Sequence, residues 1–447
     1  MNQVSRAHWG GRFAFILAAA GSAIGLGNIW KFPYMTGHNG GGAFVLVYLF
    51  CIAVVGLPIL IAEIYIGKEA QENAVRAFDH FDKKNSPWGK IGIWGIVSSL
   101  MLLAFYSVVG GWVMNYEFQA ISNQLLTKSD DILTNYLGEL ITHQPLTQLI
   151  WHTVFMGCTV GIVAKGVSKG IERWTKILMP VLFILLGFLL VYSFFLDGFG
   201  QSLQFLFFPD FSKLTWSAIL EAVGHSFFTL SIGMGVMIAY GSYLQPSESA
   251  ISTGIIITLL DTLIALVAGI IIFAVVFSFD QSPSAGPGLM FVTLPLLFKQ
   301  IPGAWIITNA FFILVTFAAI SSSISLLEVA VSYASEEKNW SRPKAAWGIG
   351  IATWAVGILC AFPELTIIAG KNMFDTLDIA TSKVMFPLGG ILMSLFFGWI
   401  VMPKSIDRFA KATNPLTAYG LMWVTRIVAP LSVGIMLFKG VKEMLGM

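Results

Sequence analysis

Apolar residues fall in long blocks separated by short polar connections. A bilayer-spanning helix needs about 20 mostly apolar residues. Blocks of that kind lie near residues 13–36, 42–67, 89–121, 147–164, 172–195, 217–243, 250–279, 305–334, 344–361, 373–401 and 417–438. The pattern predicts eleven membrane helices, with a polar stretch carrying Pro283, Pro287 and Pro302 between the seventh and eighth. Ala18-Ala19-Ala20 resembles a leader-cleavage site, but the apolar run continues to Tyr34. That is too long for a cleaved leader, so the segment reads as a retained first helix.

Two of these blocks are interrupted by glycine. Helix 1 carries Gly21-Ser22-Ala23-Ile24-Gly25-Leu26-Gly27-Asn28, and helix 6 carries Ser231-Ile232-Gly233-Met234-Gly235. Helix 6 comes five places after helix 1, and an odd offset turns the second copy upside down in the membrane. Unwound backbone exposes N–H and C=O groups, which are tolerated at bilayer depth only beside a ligand, a cavity or other protein. Paired broken helices in inverted halves point to a transporter's midplane site. Small residues also serve close helix packing, and that alternative stays open at this point.

Composition agrees with a polytopic membrane protein: of 447 residues, 56% are hydrophobic and 11% charged, against about 25% charged in soluble domains. The net charge of +2 leaves no nucleic-acid footprint. Cys51, Cys158 and Cys360 lie inside apolar runs with no metal or disulfide spacing and read as small apolar fillers. Basic residues concentrate between alternate helices, in groups such as Lys83-Lys84, Lys165 to Lys176 and Lys404 to Lys411. The positive-inside rule then predicts a cytoplasmic N-terminus and an outside C-terminus in a bacterial inner membrane.

The first break is followed by Trp30-Lys31-Phe32-Pro33-Tyr34 and Asn39-Gly40-Gly41-Gly42-Ala43-Phe44. Together with Phe227-Phe228-Thr229-Leu230-Ser231 and Ser321-Ser322-Ser323, these motifs resemble the neurotransmitter:sodium symporter family. The resemblance covers essentially the whole chain and is closest to bacterial eleven-helix members that carry hydrophobic and aromatic amino acids. It implies an all-α integral membrane protein with the leucine-transporter fold, a 5+5 inverted repeat plus an eleventh helix. Residues 1–447 are then one transporter domain, with repeats at about 10–195 and 217–401 and helix 11 at about 417–438.

The resemblance also implies two sodium sites and no organic cofactor. Sodium is a hard cation that takes oxygen ligands. The first site is expected from Ala23, Asn28, Thr229, helix 7 and the substrate carboxylate, and the second from carbonyls of Gly21, Ile24 and Ala318 with hydroxyls of Ser321 and Ser322. Asp261 stands where much of the family has Asn, in a run with no other charge. Chloride-dependent relatives surround this region with a Ser and a Gln. Here those positions are Ala265 and His225, and only Tyr48 and Thr229 keep the pattern. We therefore expect Asp261 to ligate sodium and to supply the negative charge that chloride gives elsewhere, so chloride is not expected. On this reading an emptied Asp261 returns protonated. A carboxylate paired inside the bundle, with His225 as one partner, is the alternative.

For the substrate, the resemblance assigns Tyr106 to the carboxylate and Gly25 to the space an Asp fills in monoamine carriers. Ala23, Gly27 and Ser231 belong to the unwound segments around the amine, and Leu102, Phe228, Met234, Ser323 and Leu326 to the side-chain subsite. An apolar, uncharged lining favours hydrophobic L-amino acids, with Trp, Tyr, Phe and Leu as candidates. Lys31 and Asp378 match the outer gate; Arg6 and Glu336, with Trp9 and Tyr243 beside them, match the inner one. Glu63 matches a carboxylate that caps the helix 6 break, and Gly170 and Pro180 match a spacing that lets helix 5 unwind. Lys383 in helix 10 has no assigned role.

Other functions find less support. No filter loop of a channel is visible, the six histidines form no HExxH, and Ser231 has no His–Asp pair nearby in sequence. The chain is not expected to be an enzyme. A non-transporting amino-acid sensor of the same fold is the alternative, and the oligomeric state stays open.

Overall fold

The computed structural model describes residues 8–284, 286, 288–362, 366–368 and 371–444. The spans are α1 (Arg12–Ala23 and Gly27–His38), α2 (Gly42–Ala70), α3 (Gly89–Ile121), α4 (Pro145–Ala164) and α5 (Val167–Ser193). They continue with α6 (Trp216–Thr229 and Val236–Gly241), then α7 (Ala250–Ser278), α8 (Ala304–Glu337), α9 (Arg342–Cys360), α10 (Met373–Ala412) and α11 (Pro415–Lys442). Among the described residues, nine helices and the bent pair of α1 are long and apolar enough to cross a membrane. The remaining expected span is α6, whose two halves are each too short to qualify alone.

Both breaks fall where the glycines lie. The halves of α1 meet at 48°, with Ile24 in extended conformation after Ala23. In α6 the chain leaves the helix after Thr229 and re-enters at Val236. Between them Gly233 and Gly235 have φ of 80° and 72°, a region where a Cβ is costly. Ser231 takes φ 53° in the same turn without being glycine. Its hydroxyl donates to the Ser22 carbonyl at 3.0 Å, tying one break to the other.

Shorter elements cap the bundle. They include the helices Asp130–His143 and Phe199–Phe207. The polar stretch between α7 and α8 holds a helical segment, Leu289–Phe298. A two-stranded antiparallel hairpin, Thr366–Ile368 with Lys371–Asn372, precedes α10.

Burial separates the bundle into a centre and a wall. In α8, 89% of its most apolar window is inside the protein, against 33% for α5, α9 and α11. The side chains exposed on those outer helices are large and apolar, such as Ile184, Ile351 and Leu431. They suit contact with lipid tails rather than water. The broken helices and α8 thus form the centre, and the site lies there.

Candidate functional site

The two breaks, α3 and α8 enclose a small cavity of about 20 Å³. Ala23, Gly25, Gly27, Leu102, Tyr106, Phe228, Ser231 and Leu326 line it, as expected, and Ser22, Leu26 and Ser322 join them. The Leu26 N–H points to the Tyr106 hydroxyl at 3.4 Å. A Cβ on Gly25 would run into the Ser322 hydroxyl and come within 3.1 Å of the Tyr106 hydroxyl. Glycine therefore leaves the only room between α1, α3 and α8 at that point.

Two expected lining residues lie elsewhere. Ser323 Oγ is 2.7 Å from Thr159 Oγ1, because one residue along a helix turns about 100° from the face that carries Ser322 and Leu326. Met234 is fully buried but does not line the cavity, being set between the left-handed Gly233 and Gly235.

Beside the cavity, Asp261 sits fully buried at the middle of α7. It accepts from Asn28 Nδ2 at 2.7 Å and from Thr229 Oγ1 at 2.9 Å. Asn28 Nδ2 also reaches the Asp261 carbonyl at 3.0 Å, while its Oδ1 takes the Gly25 N–H at 3.1 Å. Among the described residues, no Lys, Arg or His forms an ion pair with Asp261. His225 stacks instead on Phe32 and Tyr48, at centroid distances of 6.0 and 5.2 Å. A buried carboxylate satisfied only by neutral donors, with a carboxamide and a hydroxyl oxygen beside it, is a donor set suited to a small hard cation.

A second group of oxygens converges where α8 crosses the first break. Ser322 Oγ lies 3.1 Å from the Ser22 carbonyl, 3.3 Å from that of Ile24 and 3.4 Å from that of Gly21. Ser321 Oγ is 3.0 Å from the Ala318 carbonyl, and the Ser321 Cβ faces Gly21. The group contains the five residues expected at the second sodium site, and the Ser22 carbonyl joins them. With no formal charge in the set, such a site selects by size and by carbonyl dipoles.

The second break is capped from α2. Glu63, fully buried, accepts the Gly233 N–H at 2.7 Å. This satisfies a donor that unwinding sets free.

The two ends of the site differ. On one side a cavity of about 220 Å³ is lined by Lys31, Tyr34, Glu221, His225, Asp378 and Lys383, among others. Lys31 and Asp378 share this cavity without an ion pair within 4 Å; Lys31 Nζ instead lies 4.3 Å from the centre of the Phe228 ring. Phe228 also lines the smaller cavity, so its ring stands between the two.

The other side is closed. Trp9 is buried; its N–H and Nε1 donate to the carbonyls of Tyr243 and Tyr240, both at 3.1 Å. Its ring meets that of Tyr243 edge-on at 6.1 Å. Glu172 on α5 accepts the Gly10 N–H at 2.9 Å and pairs with Lys176 at 2.6 Å. The α5 span begins with a π-helical turn, Val167–Glu172, and contains Pro180. Arg6 lies outside the described residues. Glu336, its expected partner, accepts from the backbone and side chain of Asn73, both at 3.0 Å.

A charge pair not expected from the sequence completes this end. Glu328, fully buried on α8, accepts from the Tyr243 hydroxyl at 2.8 Å and from Arg342 on α9 at 2.5 Å. Tyr243 belongs to the turn after the second half of α6, so the pair ties α6, α8 and α9 together. Removing one partner of a buried pair costs about 3–5 kcal/mol. Glu328→Ala is expected to loosen this closure, read as faster backbone hydrogen exchange around Trp9 and Tyr243; unchanged exchange there would refute the assignment.

Comparison with known proteins gives the same picture. A family model described as the sodium:neurotransmitter symporter family matches residues 6–136 and 140–445. An uncharacterized sodium-dependent transporter, YhdH of Bacillus subtilis, is 36% identical over 97% of both chains. A second uncharacterized sodium-dependent transporter, from Haemophilus influenzae, is 33% identical over 90% of this chain and 91% of its own length. Among solved structures, MhsT in complex with L-phenylalanine matches with a TM-score of 0.90 and 42% identity, covering 98% of this chain and 100% of that one. The fold is therefore the leucine-transporter fold with both helix breaks in place, and the chain belongs to the sodium:neurotransmitter symporter family.

Proposed function

We propose that this sodium-dependent, multi-pass transporter carries hydrophobic and aromatic L-amino acids inward with two sodium ions, by alternating access and without chloride. The observation that carries this reading is Asp261: a buried carboxylate, 2.7 Å from the Asn28 amide and 2.9 Å from the Thr229 hydroxyl, placed beside the cavity. Its charge needs a cation, and its place next to Gly25 lets the same cation meet a substrate carboxylate. The apolar walls supplied by Leu102, Phe228 and Leu326 favour a side chain without charge. MhsT, the solved relative, holds L-phenylalanine, which supports the substrate class.

Alternating access follows from the unequal ends. One side is held by Trp9, Glu172 and the Glu328–Arg342 pair, and the other is closed only by Phe228 with Lys31 above it. Sodium at the second oxygen group ties α1 to α8; its loss toward the closed side frees the first half of α1 to move. The distribution of basic residues supports an orientation with Trp9 on the cytoplasmic side of a bacterial inner membrane and the C-terminus outside.

The reading is tested by binding of labelled L-phenylalanine, L-tryptophan and L-leucine to the purified protein in sodium, lithium or potassium salts. Binding supported by sodium and independent of chloride is the expected result. Binding indifferent to the cation, or confined to charged amino acids, would overturn it.

A further inference from the structure

Outside the transport path, one charge stands in the lipid-facing wall. Arg426 is on α11, roughly 16 Å from the helix start at 1.5 Å per residue, well inside a span of 28 residues. Its Nε donates to the Gly398 carbonyl of α10 at 2.7 Å. Both helices form a π-helical turn at this contact, Phe397–Val401 and Val424–Val428. A Cβ on Gly398 would come within 2.8 Å of Arg426 Cγ and 2.9 Å of its backbone nitrogen, so glycine lets the guanidinium settle into the seam.

Two tryptophans flank it. The guanidinium carbon is 4.9 Å from the Trp399 ring centre and 5.8 Å from that of Trp423. Both indoles are about half exposed on the outer wall, at 56% and 52%. Among the described residues Arg426 forms no ion pair with a carboxylate. The bond from Nε fixes the plane of the group, and the indoles cover its faces. What is left to be satisfied is the pair of terminal nitrogens.

A charge at this depth is costly unless it meets an anion or reaches the interface. Lys404, Arg408 and Lys411 at the end of α10 mark the near membrane surface, two residues before α11 begins. Lys404 is already held by the Phe81 carbonyl and Arg408 by Glu69. Lys411 stays exposed. The available anion beside a lipid-facing guanidinium with indole walls is a phospholipid phosphate, which a fork of N–H donors fits. We propose that Arg426, with Trp399 and Trp423, forms a binding site for the headgroup of an anionic phospholipid at the α10–α11 seam. Basic recesses between membrane helices bind such headgroups as a class.

The test uses the full-length protein in phosphatidylcholine nanodiscs doped with phosphatidylglycerol. The wild type is expected to rise in Tm as the anionic lipid is added. Arg426→Gln should need about fivefold more of it, the loss of one cation at the surface, while Arg426→Lys falls between because it keeps charge but not the fork. Sodium-dependent amino-acid binding confirms that each variant is folded. In parallel, native mass spectrometry counts retained lipid, with about one phosphatidylglycerol fewer expected on the Gln variant. An equal Tm rise in wild type and Gln variant would overturn the proposal. So would an equal rise with inorganic phosphate in pure phosphatidylcholine, which would make it a free-anion site. A Gln variant that loses an oligomer at every lipid composition would also overturn it, assigning the patch to a second copy.

Discussion

Asp261→Asn is expected to lose sodium-driven amino-acid uptake in chloride-free buffer. Asn preserves the shape and keeps an oxygen for the ion, and Thr229 and Asn28 remain in place. The change removes only the charge. At an effective dielectric of about 20, two unit charges about 2.5 Å apart attract by several kcal/mol, and desolvation cancels part of that. A net loss of roughly 2–3 kcal/mol corresponds to about thirty- to hundredfold weaker sodium binding. Two results fit this account: uptake that no longer follows the sodium gradient, or uptake restored by added chloride. Chloride-free, sodium-coupled uptake at the wild-type rate would show that Asp261 does not carry the compensating charge.

The second large effect is expected from Gly25→Ala. The added Cβ meets Ser322 and comes within 3.1 Å of the Tyr106 hydroxyl. Ser322 can turn its hydroxyl aside, but that would break its contacts with the Ser22 and Ile24 carbonyls at 3.1 and 3.3 Å. Relief of the clash therefore disturbs the second oxygen group, and absence of relief fills the space proposed for a substrate carboxylate. Overpacking of this kind costs about 1–3 kcal/mol, or roughly five- to 140-fold in substrate affinity. Equilibrium binding of L-phenylalanine checks it, with thermal unfolding to show that the bundle persists. Affinity within twofold of wild type would mean that the carboxylate does not lie beside Gly25.

Much of this site is legible because its parts are written locally. Glycine clusters announce the breaks, since a run that should be helical but carries Gly21, Gly25 and Gly27 cannot hide its backbone without a reason. A lone Asp261 in an apolar run announces a buried charge. The oxygens of Ser321 and Ser322 were assigned by family resemblance, and hydropathy alone would have left them as helix-packing hydroxyls. What the sequence does not carry is azimuth. Ser322 and Ser323 are adjacent letters, yet one faces the broken helix and the other faces Thr159 on α4.

Long-range pairing is the other silent term. Glu328 lies inside α8 and Arg342 opens α9, and only the packing of the two helices brings them to 2.5 Å, with Tyr243 as the third member. Arg6, the expected partner of Glu336, lies outside the described residues; Asn73 holds the Glu336 carboxylate from the connection between α2 and α3. The Arg426 site is silent for a related reason: its two indoles, Trp399 and Trp423, are 24 residues apart in sequence and on different helices.

The measurement that bears most directly on the central claim is uptake of labelled L-tryptophan and L-leucine into proteoliposomes under an inward sodium gradient, with gluconate replacing chloride throughout. Accumulation above equilibrium, abolished when the gradient is collapsed, is the result expected for a chloride-independent sodium symporter. Sodium-dependent binding without accumulation would contradict it and make the protein a sensor built on a transporter fold.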